Sequence, residues 1–274
     1  YITVNDRPTG SLSGNPTTCN GTSADILVTL TGKSPWNLTY KGTDGSTLTA
    51  IITSIYSSTI YTSSNAYTAT LSVTPSTTTT YSITSLSDNN LCSSQASDLN
   101  NTFATVNVND RPTAKFSGTS VMCKDLSANI LLTLTGKSPW NLTYTGSDGS
   151  TLTAIVTSIY SSTIYTIGQP YTTTLSVSPG VTSTYTVTSL YDGLCSATNT
   201  DLNASNSYAT VTVNERPTAV LSGNPTICNG VSASIDVTLT GKSPWNITYV
   251  GTDGSTLTAT ITSVYSNTIY TSGN

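Results

Sequence analysis

Thr31–Tyr40, TGKSPWNLTY, is the stretch from which the chain can be read. It returns unchanged as Thr135–Tyr144, and with one Leu→Ile replacement as Thr240–Tyr249. Each copy holds one of the three tryptophans, Trp36, Trp140 and Trp245, spaced 104 and then 105 residues apart. One unit of about 105 residues, an ordinary domain size, is therefore written repeatedly. Register places the end of a preceding repeat at 1–6, repeat 1 at 7–110, repeat 2 at 111–215 and a truncated repeat 3 at 216–274. The joints read NDRPT (Asn5–Thr9, Asn109–Thr113) and NERPT (Asn214–Thr218). Proline after two charged residues, without glycine, makes a short stiff connection.

Inside the motif, Trp36, Leu38 and Tyr40 alternate with Asn37, Thr39 and Lys41. The run before it alternates too: Ala24, Ile26, Val28 and Leu30 stay apolar, while Asp25, Leu27, Thr29 and Thr31 take the other face. The same split recurs at Ala128–Thr135 and Ala233–Thr240, where charge is accepted only at the second set of positions. A period of two with one apolar face is a half-buried strand. Asp44-Gly45, Asp148-Gly149 and Asp253-Gly254 are hairpin signals. Further strands are expected near Thr9–Ser13, Ser46–Thr53, Tyr67–Thr74, Thr79–Ser87 and Thr102–Asn109, all rich in β-branched residues and Tyr. Seven short strands with a core tryptophan on the third predict an all-β fold, tandem immunoglobulin-like β-sandwich domains in an elongated rod. Tyr81 and Tyr185 stand in the sixth strand, where such sandwiches carry a corner tyrosine.

Composition narrows the function. The 274 residues are only 8% charged, with a net charge of −4, and contain no histidine. No cluster of Lys and Arg offers a nucleic-acid footprint, and no long apolar run offers a membrane span. Without histidine the commonest general base and zinc ligand are missing. No carboxylate pair, nucleophile–base set or phosphate loop repeats, so the chain reads as non-enzymatic. Sparse Asp and Glu at the joints (Asp6, Asp110, Glu215, with Asp88 and Asp98 nearby) lack the density that calcium needs. No cofactor is expected, and joint calcium is the exception to test. The Asn-x-Thr triplets, such as Asn37-Leu-Thr, follow from strand alternation. The tryptophans could stack on sugar, but the Trp-x-Leu-x-Tyr pattern puts them on the core face.

The order C-x-G-x-S-A, a strand ending L-T-G, P-W-N-[LI]-T-Y, D-G, T-T-Y-S-I-T-S-L-S-D, a cysteine and A-T-V-x-V-N resembles Ig-like (PKD-like) repeats. Those repeats occur in giant surface adhesins of Bacteroidota, including gliding-motility adhesins exported by type IX secretion. The resemblance covers two full repeats and half of the third. It implies an extracellular, cell-surface location, with any export signal outside this stretch.

The five cysteines, Cys19, Cys92, Cys123, Cys195 and Cys228, suggest disulfides and an oxidising compartment. Pairing within repeats would join Cys19 to Cys92 and Cys123 to Cys195. Sandwich topology opposes it: the first cysteine lies at the end where the chain leaves a domain, the second where it enters. Strands of seven or eight residues separate those ends by more than about 20 Å, against the roughly 7 Å a disulfide spans. Across a joint, Cys19 would meet Cys195, and Cys123 a cysteine beyond Asn274. Each such staple would contribute roughly 2–4 kcal/mol.

The remaining candidate surface is SIYSSTIYT (Ser54–Thr62), repeated at Ser158–Thr166 and, with changes at Val264 and Asn267, at Ser263–Thr271. It is longer than such repeats usually carry. Ile55, Tyr56, Ile60 and Tyr61, with Ile159, Tyr160, Ile164, Tyr165, Tyr265, Ile269 and Tyr270, put apolar groups on both faces. The stretch is either a flap packed on its own sandwich or a contact for other copies or surface glycans. Three functions follow: a structural stalk of a large adhesin whose partners are the neighbouring repeats, a glycan- or peptide-binding repeat, or spacer domains of a secreted hydrolase.

Overall fold

The computed structural model describes residues 2, 4–99, 102–202, 207–265 and 268–271. Tyr1 and Thr3, in the stretch assigned to a preceding repeat, and Ser266 and Asn267 of the third SIYSSTIYT copy lie outside them. Repeat 1 contains β1 (Gly10–Ser13), β2 (Thr17–Cys19), β3 (Ala24–Leu30), β4 (Gly32–Lys33), β5 (Trp36–Gly42), β6 (Thr47–Ile52), β7 (Ile60–Tyr61), β8 (Tyr67–Val73), β9 (Thr79–Ser87) and β10 (Ala104–Asn109). They form a three-stranded sheet, β1-β3-β8, facing a five-stranded sheet, β2-β10-β9-β5-β6. That order is an immunoglobulin-like sandwich.

Repeat 2 copies it with β11 (Ala114–Ser117), β12 (Thr119–Cys123), β13 (Ala128–Leu134), β14 (Gly136–Lys137), β15 (Trp140–Gly146), β16 (Thr151–Val156), β17 (Ile164–Tyr165), β18 (Tyr171–Val177), β19 (Ser183–Tyr191) and β20 (Tyr208–Asn214). Repeat 3 contributes β21 (Ala219–Ser222), β22 (Asp236–Leu239), β23 (Gly241–Lys242), β24 (Trp245–Val250), β25 (Thr256–Ile261) and β26 (Ile269–Tyr270).

The structure adds to the seven expected strands. The first splits in two: β1 pairs antiparallel with β3, whereas β2 pairs in parallel with β10 on the opposite sheet. Gly14 makes the crossing at φ +112°, and Gly118 does so in repeat 2 at +97°. A backbone turn in that region favours glycine. Two-residue strands β4 and β7 also pair, which ties the flap after β6 back to the sandwich.

The core follows the alternation. Ile26, Val28 and Leu30 of β3 are buried against Trp36, Leu38 and Tyr40 of β5. Trp36 stacks on Tyr67, with centroids 5.3 Å apart, and Tyr61 tilts against both rings. Tyr81 and Tyr185 are buried, packing edge-on against Tyr40 and Tyr144. In repeat 3 the strand begins at Asp236 rather than Ala233, and Ile235 is half exposed. Among the described residues of repeat 3 the strands pair as β21-β22, β23-β26 and β24-β25.

TGKSPWNLTY owes its remaining residues to local packing. Thr31 Oγ1 accepts from the Thr9 amide, and Trp36 Nε1 donates to Thr31 O at 2.9 Å. Gly32 takes φ +102°, and a Cβ there would lie 2.8 Å from Asp88 and 3.1 Å from Pro8. Ser34 Oγ accepts from Ser54 N, and the Ser34-Pro35 bond is cis.

Candidate functional site

The joint between repeats 1 and 2 brings together a disulfide, a buried carboxylate and an arginine. Cys19 ends β2, where it is paired with Asn109 at the end of β10. Asn20 N then donates to Asn109 O at 2.9 Å, fixing the loop that follows. Cys195 lies just beyond β19, at the end where the chain enters repeat 2. The two cysteines form a disulfide with a Cα–Cα distance of 5.9 Å. This bond leaves neither cysteine for a pairing within its own repeat. Cys92, Cys123 and Cys228 form no disulfide.

Asp192 places Cys195. Its side chain is buried, and its Oδ1 accepts from Leu194 N and Cys195 N at 2.8 and 2.6 Å. Its Oδ2 accepts from Lys137 N at 2.7 Å. Three amide donors satisfy a carboxylate that would otherwise be costly to bury. Asp88 does the same in repeat 1 for Lys33, Asn90 and Cys92. That turn is one residue longer, and Leu91 adopts φ +60° in it. Cys92 Sγ lies 3.9 Å from Asn5 O, the same relation that Cys195 Sγ has to Asn109 O.

A second tie crosses the joint. Arg111 Nε donates to Asn20 O and its Nη1 to Ser196 O, both at 2.7 Å. At the next joint Arg216 Nε donates to Lys124 O at 2.9 Å. Lys124 also pairs with Glu215 at 3.1 Å, an exposed contact of little weight. Sequence reading treated these joints as stiff because of proline and missed the arginine. The available signal was its fixed place in each RPT, one residue after an acid. The role of Asp88 and Asp192 was also missed, although each stands three or four residues before a cysteine.

Three of the acids considered for calcium, Asp88, Asp98 and Glu215, have protein partners. Asp88 is saturated by amides, and Asp98 pairs with Arg7 at 2.6 Å. Among the described residues no three His, Cys, Asp or Glu side chains are grouped to hold a metal ion. An open cleft of about 860 Å³ lies beside the joint, lined in part by Asn20, Arg111, Ile164, Ile167 and Asp201.

The flap residues separate into two groups. Tyr61 is buried, and its hydroxyl shares a hydrogen bond with Ser54 Oγ. Tyr165 and Tyr270 repeat this with Ser158 and Ser263, and are partly buried against Trp140 and Trp245. Tyr61, expected as a contact residue, is corrected to core, and Tyr165 and Tyr270 are half-buried anchors of their flaps, because each ring packs on the tryptophan of its own repeat. Ile55, Tyr56 and Ile60 remain on the surface, as do Ile159, Tyr160, Ile164, Tyr265 and Ile269.

No family description matches the chain, and no curated protein matches it. Solved structures do. A three-domain immunoglobulin segment of titin, I67–I69 in an E-to-A variant, is 14% identical, covers 94% of this chain and 88% of its own, and has a TM-score of 0.37. A chimeric titin Z1Z2–Z1Z2 tandem, functionalised with a GRGDS peptide from fibronectin, is 16% identical, with coverage of 75% and 98% and a TM-score of 0.25.

Proposed function

We propose that this chain is a load-bearing segment of an extracellular stalk, in which tandem Ig-like repeats hold an adhesive element away from a cell surface. The resemblance to repeats of large Bacteroidota adhesins points to the cell surface and to type IX export. The partners are neighbouring repeats of the same chain, and the role is mechanical rather than catalytic. No helix among the described residues is long and apolar enough to cross a membrane.

One observation carries the reading: the Cys19–Cys195 bond links residues 176 apart across a joint. Tension applied at the two ends passes from Cys19 through sulfur to Cys195. Residues 20–194 lie off that path, so most of repeats 1 and 2 is shielded from force. A loop bypassed in this way withholds about 630 Å of extended chain at ~3.6 Å per residue. A glycan-binding repeat or a hydrolase spacer has no need of this arrangement.

Single-molecule pulling from both ends tests it. The oxidised chain should reach full extension about 630 Å shorter than the same chain in reductant. Equal extensions under both conditions would reject the load path. The cleft beside the joint favours one second reading, in which a glycan or peptide seats against Ile164, Ile167 and Arg111. Glycan-array binding by the intact chain that disappears on Ile167→Asp substitution would support that reading instead.

A further inference from the structure

The molecule confines its charge. No Asp, Glu, Lys or Arg occurs between Asp44 and Asp88, between Asp148 and Asp192, or after Asp253. Apart from β9 and β19, which lie inside their sheets, the two internal charge-free stretches each build one flank of a sandwich. In repeat 1 this flank is β6, the flap and β8. β6 is the end strand of the five-stranded sheet and β8 the end strand of the three-stranded sheet. Tyr67 Oη donates to Thr53 O, so the start of β8 lies against the end of β6. Two open sheet edges therefore stand side by side, with the flap between them.

Open edges in soluble proteins are usually protected by lysine, proline, a bulge or a covering segment. β6, TLTAII, and β8, YTATLSV, contain neither charge nor proline. Their counterparts β16, TLTAIV, and β18, YTTTLSV, are the same. The flank also carries an apolar ridge. Ile51, Ile55, Tyr56 and Ile60 are 74, 87, 64 and 59% exposed. Ile155, Ile159, Tyr160 and Ile164 are 75, 88, 63 and 57% exposed. Near-equal exposure in two repeats makes the ridge a property of the repeat rather than of one loop.

We infer that this flank is a self-association surface, and that its occupant is a second copy of this chain lying alongside, with β6 paired antiparallel to β6 of its neighbour. Charge selects the occupant. A chain of net charge −4 ordinarily repels its own copies, yet this flank can face itself without opposing like charges. A two-fold pairing is isologous, each copy offering the same surface. Edge-to-edge antiparallel pairing satisfies the free amides and carbonyls of β6. Ile51 and Ile60, both exposed in the single chain, come out of water against the neighbouring flank. The ridge recurs on repeat 2, so β16 offers the same pairing to β16 of a further copy. This inference does not rest on the load-bearing reading: lateral pairing can succeed or fail with the staple intact.

The test uses the whole chain under oxidising conditions. Sedimentation velocity should show concentration-dependent dimers. Ile51→Lys together with Ile155→Lys adds charge to a flank that otherwise carries none, with like charges close across the pair, and should weaken the dimer roughly tenfold or more. Tryptophan fluorescence and melting should remain those of the parent. The contact is also mapped directly, so that half-exposed apolar residues of repeat 3 do not confuse the readout. With Cys92, Cys123 and Cys228 replaced by Ser, Thr49→Cys in the middle of β6 should oxidise to a covalent dimer. Asn107→Cys, exposed on β10 toward the far edge of the same sheet, should not. Failure of Thr49→Cys to crosslink faster than Asn107→Cys overturns the proposal. So does a chain that stays monomeric and instead captures a glycan or an unrelated peptide on this flank.

Discussion

Arg111 reaches back across the joint to the main-chain carbonyl of Asn20, 2.7 Å from its Nε. Arg216 makes the same reach to Lys124 O. Arg7 stands at the same place in repeat 1 and closes instead on Asp98, which lies in its own repeat. The guanidinium is thus a joint clasp at Arg111 and Arg216 and an ion pair within its own repeat at Arg7. Its planar fork suits two acceptors at once: Arg111 holds a carbonyl on each side of the joint, Asn20 O and Ser196 O.

Removing that clasp should loosen the joint without unfolding either sandwich. Arg111→Ala loses two charge-assisted hydrogen bonds, each typically contributing about 1.5–3 kcal/mol. Arg111→Lys should recover little, because an ammonium cannot span both carbonyls. The staple keeps the domains tethered, so the effect should emerge fully only in reductant. Small-angle scattering checks this: reduced Arg111→Ala should show a broader distribution of end-to-end distances than reduced parent. The melting temperature should move by only a few degrees.

The flap is expected to respond differently at adjacent positions. Ile60 is exposed, whereas Tyr61 is buried against Trp36 and Tyr67 and shares a hydrogen bond with Ser54. Ile60→Ser should leave stability within about 0.5 kcal/mol. Tyr61→Phe should cost about 0.5–1.5 kcal/mol for the lost bond. Trp36→Ala should cost about 3–5 kcal/mol through the cavity it leaves. Chemical denaturation followed by circular dichroism, which does not depend on the tryptophan of the altered repeat, ranks the three.

Acid should weaken the hairpins. Asp44 is held below its ordinary pKa first by the Ser46 hydroxyl and then by the Ser46 amide. Asp148 is held down in the same way by Ser150. The folded chain therefore binds these protons less tightly than the unfolded chain. Stability is full above the usual aspartate value of about 3.9. It should fall as pH drops below that value towards the depressed one. Both groups are exposed, so solvent limits the effect. Melting temperature measured from pH 6 to pH 2 should fall less steeply for Asp44→Asn with Asp148→Asn than for the parent.

How far the sequence carried the fold depends on which residues were bound by periodicity. Trp36, Leu38 and Tyr40 declared their face because strands have a period of two, and the Asp-Gly turns set the hairpin register. Gly14 carried no such pattern: the crossing of the first strand between sheets depends on one backbone angle. Tyr61 was ambiguous for a related reason. In a two-residue strand, alternation has no length over which to show itself, so Ile60 and Tyr61 read alike. Arg111 and Asp192 act through main-chain carbonyls and amides, whose positions are not written in side-chain chemistry. Of the five cysteines, the Cys19–Cys195 pair was legible, because a disulfide is limited by distance and sandwich topology fixes which ends lie apart.

Asp192 provides the final test, because it couples the turn to the staple. Its carboxylate accepts three amides, two of them from Leu194 and Cys195 themselves. Asp192→Asn turns one acceptor oxygen into a donor that faces amide donors. One buried amide then lacks a partner, at a cost of about 1–3 kcal/mol. The turn should relax and carry the Cys195 sulfur away from Cys19. Asp88→Asn makes the same change in repeat 1, where Cys92 is unbonded, and acts as the control for plain destabilisation. Thiol titration of the folded protein should find three free cysteines in the parent and in Asp88→Asn. Asp192→Asn should approach five, the full complement of the chain. If both variants lose stability equally and both keep the staple, then Asp192 only supports the fold, and Cys195 is placed by the strands alone.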